Sequence, residues 1–82
     1  MILSENISIK NIKDFSSKLK DEISKSEGTV VLDFSNVKRV DLSVVQVVIS
    51  AGRSARNESK SIRLKNVSDT VKNQMQLCGL KI

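Results

Sequence analysis

The run Thr29-Val30-Val31-Leu32-Asp33-Phe34-Ser35-Asn36-Val37-Lys38-Arg39-Val40-Asp41-Leu42-Ser43-Val44-Val45-Gln46-Val47-Val48-Ile49 decides the fold. Thr29 to Leu32 is apolar and β-branched without alternation, the pattern of a strand covered on both faces, and so it reads as the central strand. Ser35-Asn36 punctuates it, with Val37 and Val40 anchoring the loop on either side of exposed Lys38 and Arg39. The next segment is contested, because Val44, Val45, Val47, Val48 and Ile49 favour a strand by propensity. Spacing and capping favour a helix. Ser43 with Gln46 three residues on has the form of a capping box, and Val44, Val45, Val48 and Ile49 fall on one helical face. A helix from Ser43 to Asn57 is expected, held by burial rather than by the intrinsic preference of valine.

On the N-terminal side, Ile2-Leu3 and Ile7-Ser8-Ile9, joined through Ser4-Glu5-Asn6, read as a bent or broken edge strand. Ile12, Phe15, Leu19 and Ile23 then form the stripe of an amphipathic helix with Asn11 as its N-cap. Asp14/Lys18 and Asp21/Lys25 are acid-before-base pairs one turn apart on the solvent side, and Gly28 has the position of a left-handed C-terminal cap. On the C-terminal side, Ser61-Ile62-Arg63-Leu64-Lys65 alternates as a strand with one buried face. Ser68 caps a last helix whose apolar side carries Val71, Met75 and Cys78. Gly79 suits its left-handed ending, with Leu80 folding back on Met75.

Helices alternating with strands over such short connections make a small α/β domain spanning residues 1–82. The expectation is a mainly parallel or mixed sheet of about four strands, with about three main helices. A chain of 82 residues has a modest core, burying roughly 60 to 65% of the surface its unfolded form exposes. No apolar run approaches the ~18 residues of a membrane span. The start Met1-Ile2-Leu3-Ser4 also lacks the basic, apolar pattern of a secretory signal, which favours a cytoplasmic protein. Cys78 stands alone and histidine is absent, so neither a disulfide nor a metal or other cofactor is expected.

Charge is unevenly spread. Residues 1–42 balance seven basic with seven acidic side chains, whereas residues 43–82 hold seven basic and two acidic. Such asymmetry suits nucleic acid, an anionic surface or an acidic protein. Two phenylalanines and no Tyr or Trp leave nothing to stack on bases, which argues against nucleic acid. Arg53, Arg56 and Lys60 line up at i, i+3 and i+7, either as cations answering the dipole at a helix C-terminus or as a docking face for an acidic partner.

Strands of an open α/β sheet present their functional residues where they end and helices begin, which puts Asp33, Asp41 and Ser43 on one rim. Paired carboxylates there invite acid/base chemistry or Mg²⁺. Without histidine, a base-activated nucleophile or a glycine-rich phosphate loop, however, the rim does not read as catalytic. Asp33 is expected to tie down its turn, Asp41 to shape the loop before the helix, and Cys78 to serve as a small buried hydrophobe.

The succession Val30-Val31-Leu32-Asp33, Val40-Asp41-Leu42-Ser43, a helix of small and aliphatic residues ending near Arg56, Ile62 to Ser68, and Leu77-Cys78-Gly79-Leu80 resembles the STAS domain of anti-sigma factor antagonists. The resemblance implies a non-enzymatic protein-interaction module of a bacterial signalling system, bound by an anti-sigma or kinase-like protein. It also implies a switch, through phosphorylation of a Ser or Thr at the start of the second helix. Related settings are the cytoplasmic STAS subunit of a lipid-trafficking ABC transporter, docked on its ATPase, and chemotaxis-associated STAS proteins. In the family pattern Asp is followed by the acceptor Ser or Thr, a small residue and Gly. Here Asp41 matches the Asp, Leu42 stands at the acceptor position, Ser43 matches the small residue and Val44 replaces Gly. The resemblance therefore places the partner-binding region at Asp33, Asp41, Leu42, Ser43, Val44 and Val45, with the switch missing or displaced to Ser43. Ser43 reads as a helix cap, and as a phosphosite only if displaced.

Overall fold

The structure is a computed structural model that describes residues 1–5 and 7–80. A single 3₁₀ turn, Ile9–Asn11, leads into α1 (Ile12–Lys25). Strand β1 (Thr29–Asp33), α2 (Leu42–Asn57), β2 (Ser61–Lys65) and α3 (Asp69–Leu77) follow. β1 and β2 pair in parallel, Val30 beside Ile62 and Leu32 beside Leu64, so β1-α2-β2 is one βαβ unit. The fold is thus a small α/β arrangement of three helices.

Two strands form the sheet among the described residues, not about four. The N-terminal stretch does reach the free edge of β1, but at one position. Ile2 bridges Asp33 in parallel, the Met1 carbonyl accepts from Asp33 N–H at 2.8 Å, and Leu3 N–H donates to the Asp33 carbonyl at 3.0 Å. Beyond that bridge, Ile7-Ser8-Ile9 does not extend as a strand. Ser8 Oγ accepts from Lys10 N–H, and Asn11 Oδ1 accepts from Ser8 N–H at 2.8 Å. This reciprocal cap satisfies the local backbone without a neighbouring strand and tightens the segment into the 3₁₀ turn. The joining residue Asn6 lies outside the described residues.

Asn11 accordingly precedes α1 without capping it, since its side chain points back to Ser8. The other end of α1 also departs from expectation. The helix stops at Ser26, whose backbone is extended, and Gly28 is not left-handed; Ser26 Oγ accepts from Gly28 N–H at 3.1 Å. The Ile23 carbonyl, which accepts from Ser26 N–H at 3.2 Å, is also met from outside, where Lys60 Nζ donates to it at 2.7 Å.

β1 is covered on one face, not two. Val30 and Leu32 point into the core, while Thr29 and Val31 point outward and Val31 is 39% exposed. β2 alternates in the same sense, as its sequence foretells. The core gathers Phe15, Leu19 and Ile23 of α1 with Val30, Leu32 and Phe34, and Val37 and Val40 anchor the loop between β1 and α2 as expected. Helix α2 contributes Val44, Val45, Val48, Ala51 and Ala55, all buried. Full burial of a valine side chain stabilises by roughly 1.5 kcal/mol or more, which outweighs its modest cost in a helix.

The start of α3 matches its sequence signal, with Ser68 Oγ accepting from Val71 N–H at 3.2 Å. Its ending does too. Gly79 is left-handed at φ 96°, Leu80 N–H donates to the Met75 carbonyl, and Gly79 N–H donates to that of Gln76, the two bonds of a Schellman motif.

Candidate functional site

The loop from Phe34 to Asp41 carries the chain from the end of β1 to the start of α2, and the structure fixes it by hydrogen bonds that the two aspartates supply. Asp33 closes the strand. Its Oδ1 accepts from Ser35 N–H at 2.9 Å and from the Asn66 side-chain amide at 3.2 Å, so it pins both its own turn and the turn after β2. Asn66 is left-handed at φ 57°, a conformation its short amide side chain tolerates. The donated Ser35 N–H, followed by the Asn66 amide, holds the Asp33 carboxyl below its ordinary value by stabilising the charged form.

Asp41 divides its two oxygens between two elements. Oδ1 accepts from Val44 N–H at 3.0 Å and is the N-cap of α2, while Oδ2 accepts from Ile9 N–H at 3.0 Å in the 3₁₀ turn. The cap is therefore Asp41 and not Ser43. Ser43 is the second residue of the helix, half-buried, and Val44 N–H, which a Ser43 cap leaves unserved, belongs to Asp41. Aspartate and serine are comparable caps, but the loop presents the carboxylate first, and the additional bond to Ile9 settles the competition in its favour.

Around this anchor the rim residues differ in exposure. Leu42, the first residue of α2, is 57% exposed, whereas Val44 and Val45 are completely buried and support the rim from within. Helix α3 is tied to the same loop, since Val40 N–H donates to Gln74 Oε1 at 2.8 Å. Leu77, one turn beyond Gln74, is 88% exposed. Neither the Gln74 tie nor the Ile9 tie has a signature in the sequence; Ser8 and Asn11 do, since their spacing is that of a capping box.

Asp33 and Asp41 share the end of the sheet but not a ligand. Each is committed to backbone and amide donors of separate turns, and among the described residues no three His, Cys, Asp or Glu side chains come together. What the rim offers is a rigid helix start with one exposed leucine.

The basic stripe divides. Arg53 and Arg56 are exposed on α2, but Lys60 lies past the helix end with only 14% of its side chain exposed. Its ammonium is committed to the Ile23 carbonyl, with the Ser24 carbonyl at 3.5 Å and Glu58 at 3.8 Å, so it helps to cap α1. The sequence conceals this because the partner atoms are backbone carbonyls of a different helix. Cys78 is half-buried against the core.

A family model described as "Mlab, STAS domain" matches residues 1–82. The chain belongs to the STAS domain family. No curated protein and no solved structure matches it. STAS domains are in general non-enzymatic modules for protein interaction. No helix among the described residues is long and apolar enough to cross a membrane.

Proposed function

We propose that this STAS domain docks a protein partner through the rim Asp41 to Val45 and does so without the phosphorylation switch. The observation that carries the proposal is Leu42, exposed at the position where the family pattern has a hydroxyl acceptor. A carbon side chain accepts no phosphate, and an exposed leucine on a rigid helix start gains by being covered. Asp33 and Asp41 hold the rim in place, Val44 and Val45 underlie it, and Leu42 makes the contact. The partner we favour is an anti-sigma or kinase-like protein of a bacterial signalling system, in the cytoplasm, by resemblance to the anti-sigma factor antagonists.

A second reading makes the chain the STAS subunit of a lipid-trafficking ABC transporter, seated on its ATPase. The same leucine favours it, since a permanent subunit contact has no need of a switch.

Capture of partners from native lysate, followed by binding measurements, tests the site. Leu42→Glu is expected to weaken binding at least about tenfold, the cost of burying an unpaired charge in a contact, while leaving the melting temperature unchanged. The identity of the captured protein separates the two readings. Undiminished binding by Leu42→Glu, stoichiometric phosphate on Ser43 that releases the partner, or recovery of nucleic acid alone would each overturn the proposal.

A further inference from the structure

Away from the rim, along the side of α2, lies a groove of about 450 Å³ that the rim does not use. Its floor is apolar, built from Ile49 of α2, Ile62 and Leu64 of β2 and Leu80. The first three are only half-buried, and Leu80 is brought there by the Schellman turn after α3. Arg53, Arg56 and Lys60 also line it. The stretch of α2 from Ile49 to Arg56 spans ~10 Å, about two helical turns. Strand β2 pairs with β1 on one edge, and among the described residues no strand pairs with the other. The groove is therefore the place where one wall of the core is left unfinished.

We propose that this groove binds an acidic, apolar-anchored peptide segment of a partner protein. Charge decides the occupant. Among the described residues neither Arg53 nor Arg56 has an ion-pair partner, in contrast to Lys18, Lys25, Lys38 and Lys60, and no acidic residue lines the groove. Two guanidinium groups beside an apolar floor recognise carboxylates flanking aliphatic side chains. A second copy of this chain is a poor fit. Groove against groove sets Arg53 and Arg56 of one copy against those of the other. The site is separate from the Leu42 rim, so the two stand or fall independently.

The test uses three fluorescein-labelled peptides of about fourteen residues, two heptads of helix: one with Glu and Leu at helical spacing, one with Lys in place of Glu, and one with Ser in place of Leu. Fluorescence anisotropy measures binding to the full chain, and amide chemical shifts locate it. The Glu/Leu peptide is expected to bind, to shift Ile49, Gly52, Ile62 and Leu64, and to weaken several-fold with added salt. The Arg53→Glu/Arg56→Glu variant, altered only at exposed positions, should lose about tenfold in affinity. Leu42→Glu, which alters the rim, should bind this peptide as the parent does. The proposal is overturned if the Glu/Leu peptide fails to bind, if its shifts map elsewhere, or if the double variant binds it equally. Preferential binding of phosphatidylglycerol vesicles or single-stranded DNA, or a dimer in sedimentation equilibrium that the double variant dissolves, would also overturn it.

Discussion

At the scale of single residues, the start of α2 shows how a cap is chosen. Ser43 and Asp41 both have side chains able to meet an unpaired amide, and only the position of the helix start decides between them. Asp41 wins because its second oxygen reaches Ile9 N–H, so one carboxylate serves two segments. Asp41→Ala is expected to cost about 1 to 2 kcal/mol in urea unfolding, whereas Ser43→Ala should cost less than about 0.5 kcal/mol. The reverse order would mean that the serine is the cap. Asp33 supplies a pH signature. Its folded-state carboxyl lies below the ordinary value because Ser35 N–H and the Asn66 amide favour the anion, so its contribution is present above the ordinary carboxylate pKa. That contribution is lost as acid brings the pH down through the lowered folded value. Unfolding followed from pH 7 toward pH 2 should therefore show Asp33→Asn less stable than the parent at neutral pH, with the gap closing on acidification. A gap that stays constant over that range would contradict the assignment.

At the scale of elements, the lesson lies in where local signals suffice. The periodicity of Ile12, Phe15, Leu19 and Ile23, the alternation of Ile62 and Leu64, the Ser68 cap and the Gly79 ending all act within one turn or one strand, and each is found where its sequence places it. The choice of helix over strand for the valine-rich segment also holds, through face periodicity and burial, although the Ser43–Gln46 capping box that favoured it is not the cap that forms. What the sequence hides is the reach of one element to another. Gly28 has the residue type of a helix stop, yet the Ile23 carbonyl near the end of α1 is served by Ser26 N–H and by Lys60, from beyond α2. Lys60→Met should keep the aliphatic stem while removing that donor, and a loss of about 1 kcal/mol is expected. Amide exchange in the last turn of α1 should accelerate selectively. Unchanged protection there would show that water serves the carbonyls equally well.

At the scale of the whole molecule, the expected four strands are two among the described residues because the N-terminal residues touch β1 at one bridge and then turn away. The full coverage expected of β1 fails for a related reason: its alternation leaves Thr29 and Val31 outward, and residues such as Val31 carry an apolar label whether or not anything covers them. The candidate site was legible in part. Its location at the end of β1 and start of α2 follows from the succession of apolar runs and polar turns, but the division of labour within it does not, since that depends on Ile9, Asn66 and Gln74 arriving from distant parts of the chain. The basic stripe Arg53, Arg56 and Lys60 likewise resolves in space into one committed lysine and, among the described residues, two arginines without an ion pair. The adjacency of Asp41 and Leu42 carries a last consequence, for descent rather than for stability. Under the docking proposed for Leu42, Asp41 holds the fold and its exposed neighbour makes the contact, so copies of such a gene can exchange the second and acquire different partners while the scaffold stays the same. On that reading recognition can drift at one codon and architecture is guarded by the codon before it.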